Sequence, residues 1–111
     1  MRILLSNDDG IHSPCLRALH DALCEAGHEL DVVAPLTEQS GVGCSVTLHN
    51  PLRLYPVQEP GFSGTAVAGT PVDCVKFALT TLLPQPPDLV VVGINNGANK
   101  GVDVFYSGTV G

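Results

Sequence analysis

The sequence predicts an α/β fold built on a parallel sheet. Three observations carry this. A strand, a polar loop, a helix and a second strand follow one another over the first 35 residues. A second helix start follows a short apolar segment. A continuous apolar run, Asp88-Leu-Val-Val-Val-Gly93, has the character of a central parallel strand.

Ile3-Leu4-Leu5 reads as a short buried strand closed by Ser6-Asn7-Asp8-Asp9-Gly10. Ser13-Pro14 supplies an N-cap and first helical residue. Leu16, Leu19, Leu23 and Ala26 follow at helical spacing, with His20 nearby, and Gly27 closes the helix. Leu30 to Ala34 reads as the second strand, stopped by Pro35. Ser45–Leu48 and Leu52–Tyr55 alternate around Asn50-Pro51 and read as a hairpin, and Thr65–Ala68 as another short strand. Thr70-Pro71 repeats the helix start, with Asp73 at the capping-box position. Val72, Val75, Leu79 and Leu82 form an apolar face, and Pro84 ends that helix. After Val92 the chain turns polar and glycine-rich, from Ile94 to Gly111.

Length and charge bound the function. With 111 residues the chain makes one domain or part of one. Five basic residues against eleven acidic ones give a net charge of −6, which argues against nucleic-acid polymers and anionic membranes. A small phosphorylated ligand stays open, because a cation or a helix N-terminus can supply the positive field. No apolar stretch reaches membrane-spanning length, and the first residues lack a signal-peptide core, so the expectation is a cytoplasmic protein. Cys15, Cys24, Cys44 and Cys74 show no zinc spacing and are expected to be reduced, mostly buried thiols.

Three polar segments follow strands: Asn7–Gly10, Glu38–Gly41 and Asn95–Asn99. Ligands of open parallel sheets sit beyond the carboxyl ends of the strands, so these segments are expected to converge there. Asp8 and Asp9 form either an acidic turn or a pair needing a cation; their hard oxygens suit Mg²⁺ or Mn²⁺. Ser40 serves as a metal ligand, a phosphate donor or a loop hydroxyl. The Asn95, Asn96 and Asn99 amides either meet a cation or phosphate, or build turns. Ser107-Gly108-Thr109 has the make-up of a phosphate-binding helix start. His12 reads as a helix-start residue or a general acid.

Five ordered segments then carry a resemblance: Met1-Arg-Ile-Leu-Leu-Ser-Asn-Asp-Asp-Gly-Ile, Glu38-Gln-Ser-Gly, Gly69-Thr-Pro-Val-Asp-Cys-Val, Gly93-Ile-Asn-Asn-Gly-Ala-Asn and Tyr106-Ser-Gly-Thr-Val-Gly. Together they resemble the N-terminal half of the stationary-phase survival protein SurE family. The resemblance covers essentially all 111 residues. It departs where Cys15 replaces a usual Gly, Leu36-Thr37 a commoner Asp-Arg, and Val92 a usual Ser.

The resemblance implies a Rossmann-like three-layer α/β/α fold with a mainly parallel sheet. Residues 1–111 would be one nucleotidase domain, incomplete at its C-terminus. It implies a divalent-metal-dependent phosphatase acting on nucleoside monophosphates (5′- and 3′-nucleotidase activity), with short polyphosphate as a further substrate. One Mg²⁺ or Mn²⁺ per subunit would be held by Asp8, Asp9, Ser40 and Asn95. Asp8 and Asp9 would be catalytic, and Asn99, Ser107, Gly108 and Thr109 would surround the phosphate. Full-length members would form homo-oligomers, dimers or tetramers. The alternatives are an inactive metal- or nucleotide-binding fragment and a receiver-type signalling module.

Overall fold

A computed structural model describes residues 1–37 and 53–93 and, further on, the backbone of 103–106. The elements, in chain order, are β1 (Arg2–Ser6), α1 (Pro14–Glu25), β2 (Glu29–Pro35), β3 (Leu54–Glu59), β4 (Phe62–Val67), α2 (Pro71–Phe77), β5 (Leu89–Val92) and β6 (Asp103–Tyr106). The sheet order is β3-β4-β2-β1-β5-β6. The inner four strands are parallel, while β3 and β6 flank them antiparallel.

Period-two alternation sorts the strands into two cores. Ile3, Leu5, Val32, Ala34, Phe62, Ala66 and Val91 face α1, where Leu16 and Ile11 join them. Leu4, Val33, Val67 and Val90 face α2, where they meet Cys74 and Ala78. Both faces of β1 are therefore dry, which explains its unbroken apolar run. The result is the expected three-layer arrangement of a mainly parallel sheet between helices.

Both helix starts form where the sequence puts them. Ser13 caps α1 in an extended conformation with Pro14 behind it, although its hydroxyl makes no capping bond. Gly27, at φ +92°, closes the helix, with its N–H donating to the Cys24 carbonyl at 3.0 Å. At α2 the capping box is complete: the Asp73 N–H donates to Thr70 Oγ1 at 3.2 Å, and the Thr70 N–H donates to Asp73 Oδ2 at 3.0 Å. Gly69 stands hard against this box; a Cβ there would lie 2.9 Å from Asp73 Oδ2.

Several expectations need correction. Leu54–Glu59 is one arm of a hairpin, but its partner is Phe62–Val67 across Pro60-Gly61. The other proposed arm, Ser45–Leu48, lies outside the described residues. Helix α1 buries His20 with Leu16, while Ala26 is exposed. Of the expected apolar face of α2, Val75 is half-buried and packs against the core, but Val72, Leu79 and Leu82 are turned away, 54%, 39% and 38% exposed. After Phe77 the helix opens into one wide turn, Ala78–Leu82, closed by the Leu83 N–H to the Ala78 carbonyl at 3.0 Å. Ala78 follows Cys74 by four residues, one ordinary helical turn, and so shares its sheet-facing side, while Leu79 falls one position further round. Strand β6 falls in a segment read from sequence only as a polar loop.

Candidate functional site

Strands β1, β2 and β5 run parallel, so their carboxyl ends share one edge of the sheet. Two backbone bonds tie those ends together. The Ile11 N–H donates to the Pro35 carbonyl at 2.8 Å, and the Gly93 N–H donates to the Ser6 carbonyl at 2.9 Å. The acidic loop leaves β1 at this edge.

Asn7 shapes that loop. It is fully buried. Its Nδ2 donates to the Gly10 carbonyl at 3.0 Å, and its Oδ1 accepts from the Gly10 N–H at 3.1 Å. The side chain closes a tight turn from both sides. Gly10 sits at φ +102°, a conformation that favours glycine. Asp8 and Asp9 occupy the two central positions, both half-buried.

Arg17 braces the loop exit. Its Nε donates to the Ile11 carbonyl at 2.9 Å, and its two terminal nitrogens grip Glu59 at 2.8 and 3.2 Å. The guanidinium lies 3.7 Å over the Phe62 ring centroid. The hydrogen bond from Arg17 holds the Glu59 carboxyl below its ordinary range. His12 is exposed, its Nδ1 3.4 Å from an Arg17 terminal nitrogen.

Two serine hydroxyls flank the loop. Ser6 Oγ and Ser13 Oγ are buried and complete no hydrogen bond among the described residues. Across from Ser6 lies Cys74, a deeply buried thiol. Burial pushes it up to about 12, the neighbouring Asp73 carboxylate adds to this, and Ser6 pulls weakly the other way.

Of the residues singled out from sequence, Asp8 and Asp9 are placed together at the carboxyl edge. Ser40, Asn95, Asn99, Ser107, Gly108 and Thr109 lie outside the described residues. The strands leading to two of those segments end at the same edge: β2 at Pro35 and β5 at Val92. Strand β6 runs the other way, with Asp103 opposite Val92 and Tyr106 opposite Leu89. Among the described residues no three metal-ligating side chains gather, and no helix is long and apolar enough to cross a membrane.

Sequence reasoning missed Asn7 and Arg17. The signal for Asn7 was present, since an Asn that opens a turn closed by Gly commonly bonds its side chain to the turn's backbone. Arg17 carried none, because Glu59 lies 42 residues away. The thiols were expected to be mostly buried. Cys74 is, Cys15 is half-buried, Cys24 is exposed, and all three are free; Cys44 lies outside the described residues.

Comparison with known proteins agrees with this architecture. The family model "Survival protein SurE" matches residues 3–111. A protein named 5′-nucleotidase SurE from Desulfovibrio desulfuricans is 60% identical over 111 residues, all of this chain and 43% of that protein. A protein of the same name from Syntrophobacter fumaroxidans is 55% identical, over 99% of this chain and 44% of that one. The chain thus spans less than half the length of these relatives. The crystal structure of the SurE protein from Aquifex aeolicus superposes with a TM-score of 0.75 at 41% identity, covering 89% of this chain and 39% of that one. With nearly its whole length matched by one family, the chain is a member of the SurE survival-protein family.

Proposed function

We propose that this chain is the N-terminal part of a nucleotidase domain that hydrolyses nucleoside 5′- and 3′-monophosphates, and short polyphosphate, with one divalent cation per subunit. The observation that carries it is the Asn7–Gly10 turn, which holds two adjacent carboxylates at the carboxyl edge of a parallel sheet. The names of the relatives supply the nucleotide substrate class.

The donor set fits a hard cation. Asp8 and Asp9 present carboxylate oxygens, and none of the described cysteines belongs to the loop, which favours Mg²⁺ or Mn²⁺ over a thiolate-seeking ion. In this reading Ser40 and Asn95 complete the ligand set, as the resemblance implies. A bound cation of this kind supplies Lewis acidity toward a phosphoryl oxygen. Asp9 orients or deprotonates the attacking water. Asn99 and the N–H and hydroxyl groups of Ser107, Gly108 and Thr109 hold the phosphate and offset its developing charge. The proposal extends to a cytoplasmic protein that forms a dimer or tetramer at full length.

A second reading has its own support: the 111 residues bind the cation without turnover. Tyr106 sits opposite Leu89, at the edge of the sheet away from Asp8 and Asp9. Strand β6 therefore ends at the amino edge of β5, away from the carboxyl edge that carries the acidic loop. Phosphate release from AMP, GMP and an aryl phosphate, with and without Mn²⁺ or Mg²⁺, separates the readings. Metal-dependent release, lost in Asp9→Asn, supports the nucleotidase. Mn²⁺ bound by the folded chain with no release supports the binding fragment. A folded chain that neither binds Mn²⁺ nor releases phosphate overturns both.

A further inference from the structure

We propose that Cys24 is a reactive surface thiol, with His20 as its general base and Asp21 as the residue that orients the base. The inference is independent of the metal site. Cys24 and His20 stand one helical turn apart near the end of α1, a spacing that stacks side chains on one face. Cys24 Sγ lies 3.7 Å from His20 Nε2, within reach for a sulfur hydrogen bond. On the other side of the ring, His20 Nδ1 lies 3.1 Å from Asp21 Oδ1. An ionised carboxylate only accepts, so Nδ1 carries the proton and Nε2 turns its lone pair to the thiol.

The imidazole is held in place. His20 is 6% exposed, and its ring meets Phe62 edge-on, centroids 4.7 Å apart at 66°. Cys24 itself is exposed, so a small reagent can reach the sulfur. Nucleophile, base and orienting group in sequence of contact form the arrangement that activates thiols. No basic residue occupies the last turn of α1 to stabilise a free thiolate, so the proton must pass to His20 as the sulfur attacks. Cys74 is the internal contrast: sealed in the core and pushed up to about 12, it has neither access nor a base.

The co-reactant class is a low-molecular-weight disulfide. Cys24 Sγ attacks one sulfur of R–S–S–R while His20 Nε2 takes the thiol proton. The S–S bond breaks, and the departing thiolate recovers that proton and leaves as RSH. Cys24 is oxidised to a mixed disulfide and one sulfur of the reagent is reduced, with no further oxidant required.

The test treats the folded chain and the same chain unfolded in urea with oxidised glutathione at neutral pH, and reads each cysteine by peptide mass spectrometry. Cys24 is expected to react roughly tenfold faster in the folded chain, short of the ~100-fold of a refined catalytic site. Asp21→Asn and His20→Gln are both expected to slow Cys24 while leaving the Cys15 rate unchanged. Because His20 is buried, Asp21→Asn carries the test if His20→Gln does not fold; the Asp21 side chain is 75% exposed and its replacement leaves the core intact. Equal Cys24 rates in folded and unfolded chains, or a Cys24 rate unmoved by Asp21→Asn, would overturn the proposal.

Discussion

Asn7 and Gly10 are bound to each other twice, side-chain amide to backbone carbonyl at 3.0 Å and backbone amide to side-chain oxygen at 3.1 Å. The pair fixes the curvature of the loop on which Asp8 and Asp9 sit. Asn7→Ala leaves the buried Gly10 N–H without its partner, while the Gly10 carbonyl keeps its bond from the Ser13 N–H, at a cost of about 1–3 kcal/mol. It is also expected to weaken Mn²⁺ binding by roughly tenfold, since the carboxylates lose their fixed separation. Electron paramagnetic resonance of free Mn²⁺ measures the affinity and urea unfolding the stability. Wild-type affinity in a destabilised Asn7→Ala chain would show that the turn serves folding alone.

Gly10→Ala tests the same turn from the backbone side. With φ at +102°, an added Cβ is expected to cost about 1–2 kcal/mol. Combined with Asn7→Ala, the two losses are expected to fall short of additive, because both variants break one turn. Additive urea midpoints would mean that the two residues act separately.

The Arg17–Glu59 clamp gives a pH dependence of known sign. The Glu59 carboxyl is lowered from 4.5 by its hydrogen bond to Arg17, so the ionised form favours the folded state. Its contribution is fully present above the unfolded value of 4.5 and is lost as pH falls through the lower folded value. The stability gap between wild type and Glu59→Gln is expected to be open at neutral pH and to close in acid. A gap that does not change with pH would refute the clamp. Glu59 is solvent-exposed, so high salt should narrow the gap as well.

The capping box of α2 predicts a coupled pair. Thr70→Ala is expected to cost about 1 kcal/mol. Gly69→Ala forces a Cβ to within 2.9 Å of Asp73 Oδ2 and should disrupt the same bonds. The double variant is expected to be little worse than the worse single one. Thermal unfolding of the three variants decides this.

The two faces of α2 should respond oppositely. Val72→Ser, at an exposed position, is expected to change stability by less than about 0.5 kcal/mol. Ala78→Leu, on the buried face, is expected to cost about 1–3 kcal/mol through overpacking. The reverse order would restore the helical face read from sequence.

Local chemistry was legible in the sequence. Ser13-Pro14 and Thr70-Pro71 start helices, Gly27 stops one, and Leu89–Val92 forms a buried strand, because each depends on neighbours a few residues away. The acidic pair at the end of β1 was legible for the same reason, as was the family from its ordered motifs. Other features were decided only by the fold. The partner of Leu54–Glu59, the reach of Arg17 to Glu59, the direction of β6 and the face that α2 turns to the sheet all depend on contacts distant in sequence. Short-range propensity does not encode such pairings. Only the packed sheet selects among them, by which side chains it buries and which backbone groups it leaves to be satisfied.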